Sequence, residues 1–310
     1  MLGEPSTDLW TTAQESFVGY ARWVASDLTE LGWGSYASLL VAVSAFAFFL
    51  ERIRPWRRDQ ALWREDFGLD AFYMVFNFFG FGLLGYVALS DVAAALVMDA
   101  RRSLGLAGAL VDVSGLPHGV QLVLLFVLRD LVHYGIHRLL HRVPWLWRFH
   151  EVHHSVREMG FAAHLRYHPM ETVVYRSLEY APLALVGFGP GDFFVVHAFS
   201  LLVGHLNHAN VSLPLGPLRY VLNSSRMHLW HHAKDLPEER MSAHGGVNFG
   251  LTLSVWDHLF GTAHWPRDDA ALELGFAGVE RYPRGFFGHL WAPFRPAGGD
   301  AQLGDLAKRR

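Results

Sequence analysis

The sequence predicts an all-α, multi-span membrane helical bundle of four or five spans, with a helical cap on the cytoplasmic side. Three observations carry that expectation. Apolar residues make up 51% of the 310-residue chain and charged residues only 18%, below the roughly 25% usual for soluble domains. Three apolar runs are long enough to cross a bilayer, and the arginines between them are unevenly shared. A net charge of −3, with no basic tract interleaved with aromatics, argues against a nucleic-acid partner. The chain has no cysteine. Disulfides, thiolate zinc sites, iron–sulfur clusters and a cysteine nucleophile are thereby removed, and any metal has to be held by His, Asp or Glu. Histidine is the unusual resource, with 19 copies.

Residues 1–30 lack a basic region followed by a short apolar core, so no cleaved signal peptide is expected. The first span is "LGWGSYASLLVAVSAFAFFL" (31–50), stopped by "ERIRPWRRD". About 20 residues at 1.5 Å rise cross the ~30 Å hydrocarbon core. The second run is expected near 71–90, and the third begins near His118. Two shorter runs, about 172–188 and 191–207, are separated by "GPG" and read as thin spans or a hairpin. Nothing from Ala209 onward is long enough to span, and 296–310 reads as a flexible tail. The positive-inside rule puts 51–66, with Arg52, Arg54, Arg57, Arg58 and Arg64, in the cytoplasm. Alternation then brings every dense histidine cluster to that side. "GFGLLG" (80–85) lies within an apolar run and follows no predicted strand, so small residues easing helix packing explain it better than a dinucleotide site.

The third run closes on His137 and His141, whose i,i+4 spacing puts both on one helix face. His133 shares that face but lies about 12 Å from His141 along the axis, so the three cannot bind one ion. Pro144 ends the helix, and "HEVHH" then places His150, His153 and His154 at i, i+3 and i+4. "MHLWHH" repeats that spacing with His228, His231 and His232, and "HLNHAN" adds His208 and a second candidate, His205. Imidazole suits iron, zinc and copper, and eight or nine such ligands suffice for two ions. "HEVHH" also fits HExxH, in which Glu151 would be the general base of a zinc hydrolase. In the second box the Glu151 position is Leu229, and a hydrolase has no use for a second HxxHH, so the HxxHH reading is preferred.

These motifs, with "RYHPME", "HANV", "NFG" and "WDHLFGT", resemble the fatty acid hydroxylase/sterol desaturase superfamily from about Asp130 to Thr262. The resemblance implies a di-metal site held by His137, His141, His150, His153, His154, His208, His228, His231 and His232. Asp130, His133, His168, Glu171, His205, Asn210 and Asp257 are candidates to support or extend that set, since ligating imidazoles usually donate their other N–H to a carboxylate or carbonyl. "EERMSAHGGVNFG" is longer than the family pattern, which leaves His244 without a role. His118, His197, His264 and His289 lie outside the clusters and read as structural or surface residues. The implied organisation is 1–117 for N-terminal spans and connections, 118–295 for the catalytic region and 296–310 for the tail. The implied activity is O₂-dependent hydroxylation or desaturation of a fatty acyl, sterol or other membrane lipid, using two Fe ions with O₂ as co-substrate. Zinc can displace iron at imidazole sites. Electrons would come from an external donor: a ferredoxin, cytochrome or reductase. A membrane zinc metallohydrolase and a metal transporter are the rival readings.

Overall fold

The computed structural model describes residues 8–106, 111–180, 183, 186–188, 190–265 and 272–295. The expected tail at 296–310 lies outside the described residues. Among the described residues there is no β-strand. Three isolated bridges, Pro55 with Val211, Leu222 with Leu253 and Ala233 with Leu274, are the β pairing present there.

Helix α1 (Leu9–Thr29) starts at the Asp8 cap, whose carboxylate accepts the Trp10 N–H. It is followed by α2 (Tyr36–Ile53), capped twice over. Ser35 accepts from the Ser38 amide, and the buried Asp27 carboxylate accepts from the Tyr36 and Ala37 amides at 2.9 and 2.8 Å. These bonds satisfy donors that every helix start leaves open, and an anion there also opposes the positive end of the helix dipole. Val24, Ala37, Leu40, Val43, Phe79, Leu165 and Leu201 pack α1 and α2 against the rest of the bundle.

The second apolar run, expected near 71–90, is not one uniform helix. Instead of one helix near 71–90, the chain forms α3 (Phe67–Val75), two π-helical turns (Phe76–Gly80 and Gly82–Tyr86) and α4 (Val87–Ser103). The stretch long and apolar enough to cross is Gly82–Ser103. The first half of the run is committed to the protein interior: Asp70 pairs with Arg166 at 2.5 Å, and Asn77 Nδ2 donates to the Leu165 and Tyr167 carbonyls. The helix then bends at Gly85, whose φ of 93° favours glycine.

α5 (His118–Arg142) begins at His118 and runs 25 residues, about 37 Å. With Tyr36–Ile53 and Gly82–Ser103 it makes three helices long and apolar enough to cross a membrane among the described residues. Exposed Val41, Phe49, Leu84, Leu89, Val97 and Val123 lie on these helices, an apolar exterior suited to lipid. Pro144 occupies the first turn of α6 (Pro144–His154), where its missing N–H costs nothing, so α5 and α6 meet at a sharp corner. The run at 172–188 is no long helix in its described part: α7 (Pro169–Tyr175) passes into a π turn, Arg176–Tyr180. α8 (Pro190–His208) crosses back through the bundle, packed on α2 and α5. Four short helices follow: α9 (Ser225–His231), α10 (Glu238–His244), α11 (Val255–Leu259) and α12 (Phe286–Trp291).

Glu51, buried at the end of α2, ties three segments together. One oxygen contacts Arg64 at 2.6 Å, and the other accepts the Phe161 and Asn210 amides at 3.0 and 2.9 Å. Glu51→Ala strips the partner from a buried guanidinium and should cost about 3–5 kcal/mol. Glu51→Gln, which keeps an acceptor oxygen, should cost less. Thermal unfolding in detergent checks this, and a midpoint unchanged in Glu51→Ala would contradict it.

Candidate metal centre

Three helix ends and one whole short helix converge beside the α5–α6 corner: the ends of α5, α6 and α8, and all of α9. Their histidines fall into two groups, in each of which the ring nitrogens lie within 4.8 Å of one another. His137, His141, His150, His154 and His231 form one, and His153, His208, His228 and His232 the other. The two HxxHH boxes are divided in opposite senses. In "HEVHH" the i,i+4 pair His150 and His154 joins the five-ring group while His153 crosses to the four-ring group. In "MHLWHH" the pair His228 and His232 joins the four-ring group while His231 crosses back. Residues i and i+4 share a helix face and i+3 leans to its other side, so two such helices facing each other serve two sites. Glu151 belongs to neither group.

Four of the ring orientations follow from the outer nitrogens. His137 Nδ1 donates to the Phe249 carbonyl at 2.8 Å, and His231 Nδ1 to the Val247 carbonyl at 2.8 Å. His153 Nδ1 donates to the Arg166 carbonyl at 3.0 Å, and His208 Nδ1 to the Gly204 carbonyl at 2.8 Å. A carbonyl can only accept, so Nδ1 carries the proton and Nε2 turns a lone pair inward. His153 Nε2 and His208 Nε2 then face each other at 3.2 Å with no proton between them. His228 Nε2 lies 3.0 Å from His208 Nε2 and 3.2 Å from His232 Nε2. In the five-ring group, Nε2 of His137, His141 and His150 is buried without a hydrogen-bond partner. Converging lone pairs repel unless a cation lies among them, and ligands about 2.0–2.1 Å from a common ion are separated by distances of this order. The residues therefore fit two imidazole-bound ions. Burial, reinforced by neighbouring rings, holds His150, His154, His228, His231 and His232 well below the ordinary imidazole range. They are neutral at neutral pH, the form that binds metal.

The supporting candidates divide. Glu171 accepts from His150 Nδ1 at 2.8 Å, and burial pushes its carboxyl up to about 7. Asp257 acts one step removed, accepting from the Phe249 and Gly250 amides and from Thr262 Oγ1, and so fixes the carbonyl that orients His137. Asp130 does not meet His137, although their spacing put it near that face. Its oxygens accept the Thr252 and Leu253 amides and the Trp256 indole N–H, clamping the same loop. His133 binds Glu179 at 3.0 Å and stacks on Tyr175. His168 faces the Leu290 carbonyl and the Met170 amide, away from both groups. Asn210 exchanges hydrogen bonds with the Arg57 backbone. His205 belongs to neither group and contacts Ser44 and His164. The His244 side chain lies outside the described residues. His164 was missed: it is packed 5.0 Å, ring to ring, from both His205 and His208. Its i,i+4 spacing from His168 suggests a shared face, but the 3₁₀ turn Phe161–Leu165 breaks that helical register.

A cavity of about 400 Å³ opens from these rings. His137, His150, His153, His208 and His228 line one end, so ligands of both groups reach it. Tyr20, Trp23, Tyr36, Phe78, Phe193 and Phe194 line the other. His197, expected to be structural or surface, lines this aromatic section too.

Residues 122–262, which contain all nine grouped histidines, match the fatty acid hydroxylase family. The chain is similar to ornithine lipid hydroxylase OlsE of Rhizobium tropici, at 34% identity over 192 residues, 62% of this chain and 56% of that protein. It is similar to alkylglycerol monooxygenase of Homo sapiens, at 34% over 135 residues, 43% of this chain and 28% of that one. With methylsterol monooxygenase 1 of Rattus norvegicus the identity is 30% over 139 residues, 44% of each chain. The matched stretch thus spans little more than half of the first of these relatives and less than half of the other two. No solved structure matches. The family region covers both histidine groups, the three relatives named are hydroxylases or monooxygenases, and over residues 122–262 the chain is similar to the fatty acid hydroxylase/sterol desaturase superfamily.

Proposed function

We propose that this protein is a membrane-integral, di-iron lipid hydroxylase within that superfamily. The observation that carries this reading is the pairing of two buried imidazole groups with an aromatic-lined cavity that begins at their rings. His137, His141, His150, His154 and His231 would hold one ion, and His153, His208, His228 and His232 the other. Iron bound there would supply reduction of O₂ and removal of hydrogen from an unactivated C–H bond. The balance is one C–H bond, O₂, two electrons and two protons giving an alcohol and water. The electrons come from a separate ferredoxin, cytochrome or reductase. Hydroxylation is favoured over desaturation because the relatives are named hydroxylase or monooxygenase.

The chain's own residues have three tasks. The carbonyls of Val247, Phe249, Arg166 and Gly204 hold the rings with Nε2 inward. The aromatic wall orients an apolar chain and keeps water away. The catalytic region, 118–295, brings the rings to the basic end of the bundle. In support of a cytoplasmic site, Glu51 and Arg57, at the end of α2 that carries the arginines, bond directly to Asn210, two residues beyond His208.

Replacing any one of His137, His150, His154, His228 or His232 with Ala should abolish product and lower bound iron while the chain still inserts into membranes. Metal analysis and a product assay on each variant check this, and wild-type activity in three of the five would contradict it. Glu151→Gln should leave metal content intact and activity within roughly tenfold, whereas loss of a general base would cost about 10²–10⁴-fold. His153→Ala should remove activity. A dead Glu151→Gln beside an active His153→Ala would replace the oxygenase by a zinc hydrolase.

A further inference from the structure

Between its histidine end and its aromatic end, the cavity has a charged waist. Arg129 Nε lies 2.6 Å from Glu179 Oε1, and Glu179 Oε2 contacts His133 Nδ1 at 3.0 Å. Arg129 Nη1 donates to Ser200 Oγ at 2.5 Å. All four side chains line the cavity, and the ion pair is almost wholly buried, with side chains 9% and 1% exposed. Arg129 is also mid-way along α5, one of the three helices apolar enough to cross the membrane.

Stability does not explain this pair. Two buried charges lose their hydration, and replacing such a pair by apolar side chains of similar volume is often neutral or stabilising. Nor does it touch the imidazole groups: Arg129 and His133 precede His137 by eight and four residues, about 12 and 6 Å along the helix. Ionisable groups at membrane depth that face a cavity usually mark what passes through it. Beyond the waist, on the side away from His208, Phe194 lies six residues before Ser200, about 9 Å along α8. The lining also includes Asn77, His164, Glu171, Thr172 and His197, and within it Arg129 and Glu179 form a buried ion pair at a fixed helical distance from the rings.

We propose that this ion pair recognises a lipid carrying an ester or amide carbonyl within the bilayer core. The carbonyl oxygen accepts from the Arg129 guanidinium, Glu179 and Ser200 fix the guanidinium plane, and the hydrocarbon chain lies against the aromatic wall. On the hydroxylase reading above, the oxidised carbon then lies within about 12 Å of the carbonyl, not at the remote end of a long chain.

The test is equilibrium binding of two radiolabelled probes of equal chain length, N-methylhexadecanamide and n-octadecane, to iron-loaded protein in nanodiscs without O₂ or reductant. A hydrogen bond to a charged donor predicts a preference of about tenfold or more for the amide. Arg129→Leu combined with Glu179→Leu removes both charges together and should abolish the preference, with octadecane binding and iron content unchanged. Arg129→Lys keeps the charge balance without the planar fork and should weaken the preference, which decides the matter if the double variant does not accumulate. Equal binding of both probes by the wild type, or a preference surviving in these variants, would overturn the proposal. Adding O₂ and reductant tests the hydroxylase reading separately: an amide preference without any oxidised product would leave the recognition site standing and remove the reaction.

Discussion

The outer nitrogens of His137, His153, His208 and His231, each donating to a backbone carbonyl, are the constraint on which the two histidine groups depend. Where Nδ1–H is taken by a carbonyl, the ring cannot turn and Nε2 has no proton to offer its neighbours. His153 and His208 are held this way with their Nε2 atoms 3.2 Å apart. In a buried setting, unpaired lone pairs facing each other are costly, and a cation is what removes that cost. The fit of the two groups to a metal thus rests on backbone positions as much as on side chains.

Those carbonyls need support of their own. Val247 and Phe249 sit on one loop, where Asn248 adopts a φ of 53° and its amide donates to the Met227 and His264 carbonyls. Asp257 and Asp130 take four amides of the same loop between them. Both carboxylates are buried, and burial pushes Asp257 up to about 6. Such groups are tolerated when every lone pair is used, and then they rigidify what they touch. On the other side, Arg166 lends its carbonyl to His153 while its guanidinium pairs with Asp66 and Asp70. The polar density around the rings is scaffolding for orientation.

Spacing made much of this legible. HxxxH and HxxHH are properties of single helices, so eight of the histidines could be picked out before their helices were placed, and the resemblance added His208 and implied a di-metal site. Which ring goes to which group could not be read, because that depends on how α6 and α9 face each other. The carbonyl partners were invisible for a different reason: a backbone oxygen carries no residue signature, and only "NFG" marked the loop. Hydropathy did not show the break in the second run, because an apolar run does not say whether it faces lipid or an interior, and Asp70 and Asn77 pull its first half inward. Asp130 shows the same limit. Its spacing from His137 was right for a shared face, but its carboxylate is used by the loop beyond.

The central claim is that two ions are held by imidazole nitrogens alone, five for one and four for the other. Iron K-edge X-ray absorption on purified, iron-loaded protein, with metal and protein quantified on the same sample, tests it most directly. The account predicts about two irons per chain, a nitrogen-dominated first shell at about 2.1 Å as for other imidazole-bound ions, and multiple-scattering features of several histidine rings. One tightly bound ion per chain, or a first shell dominated by carboxylate oxygen, would contradict it.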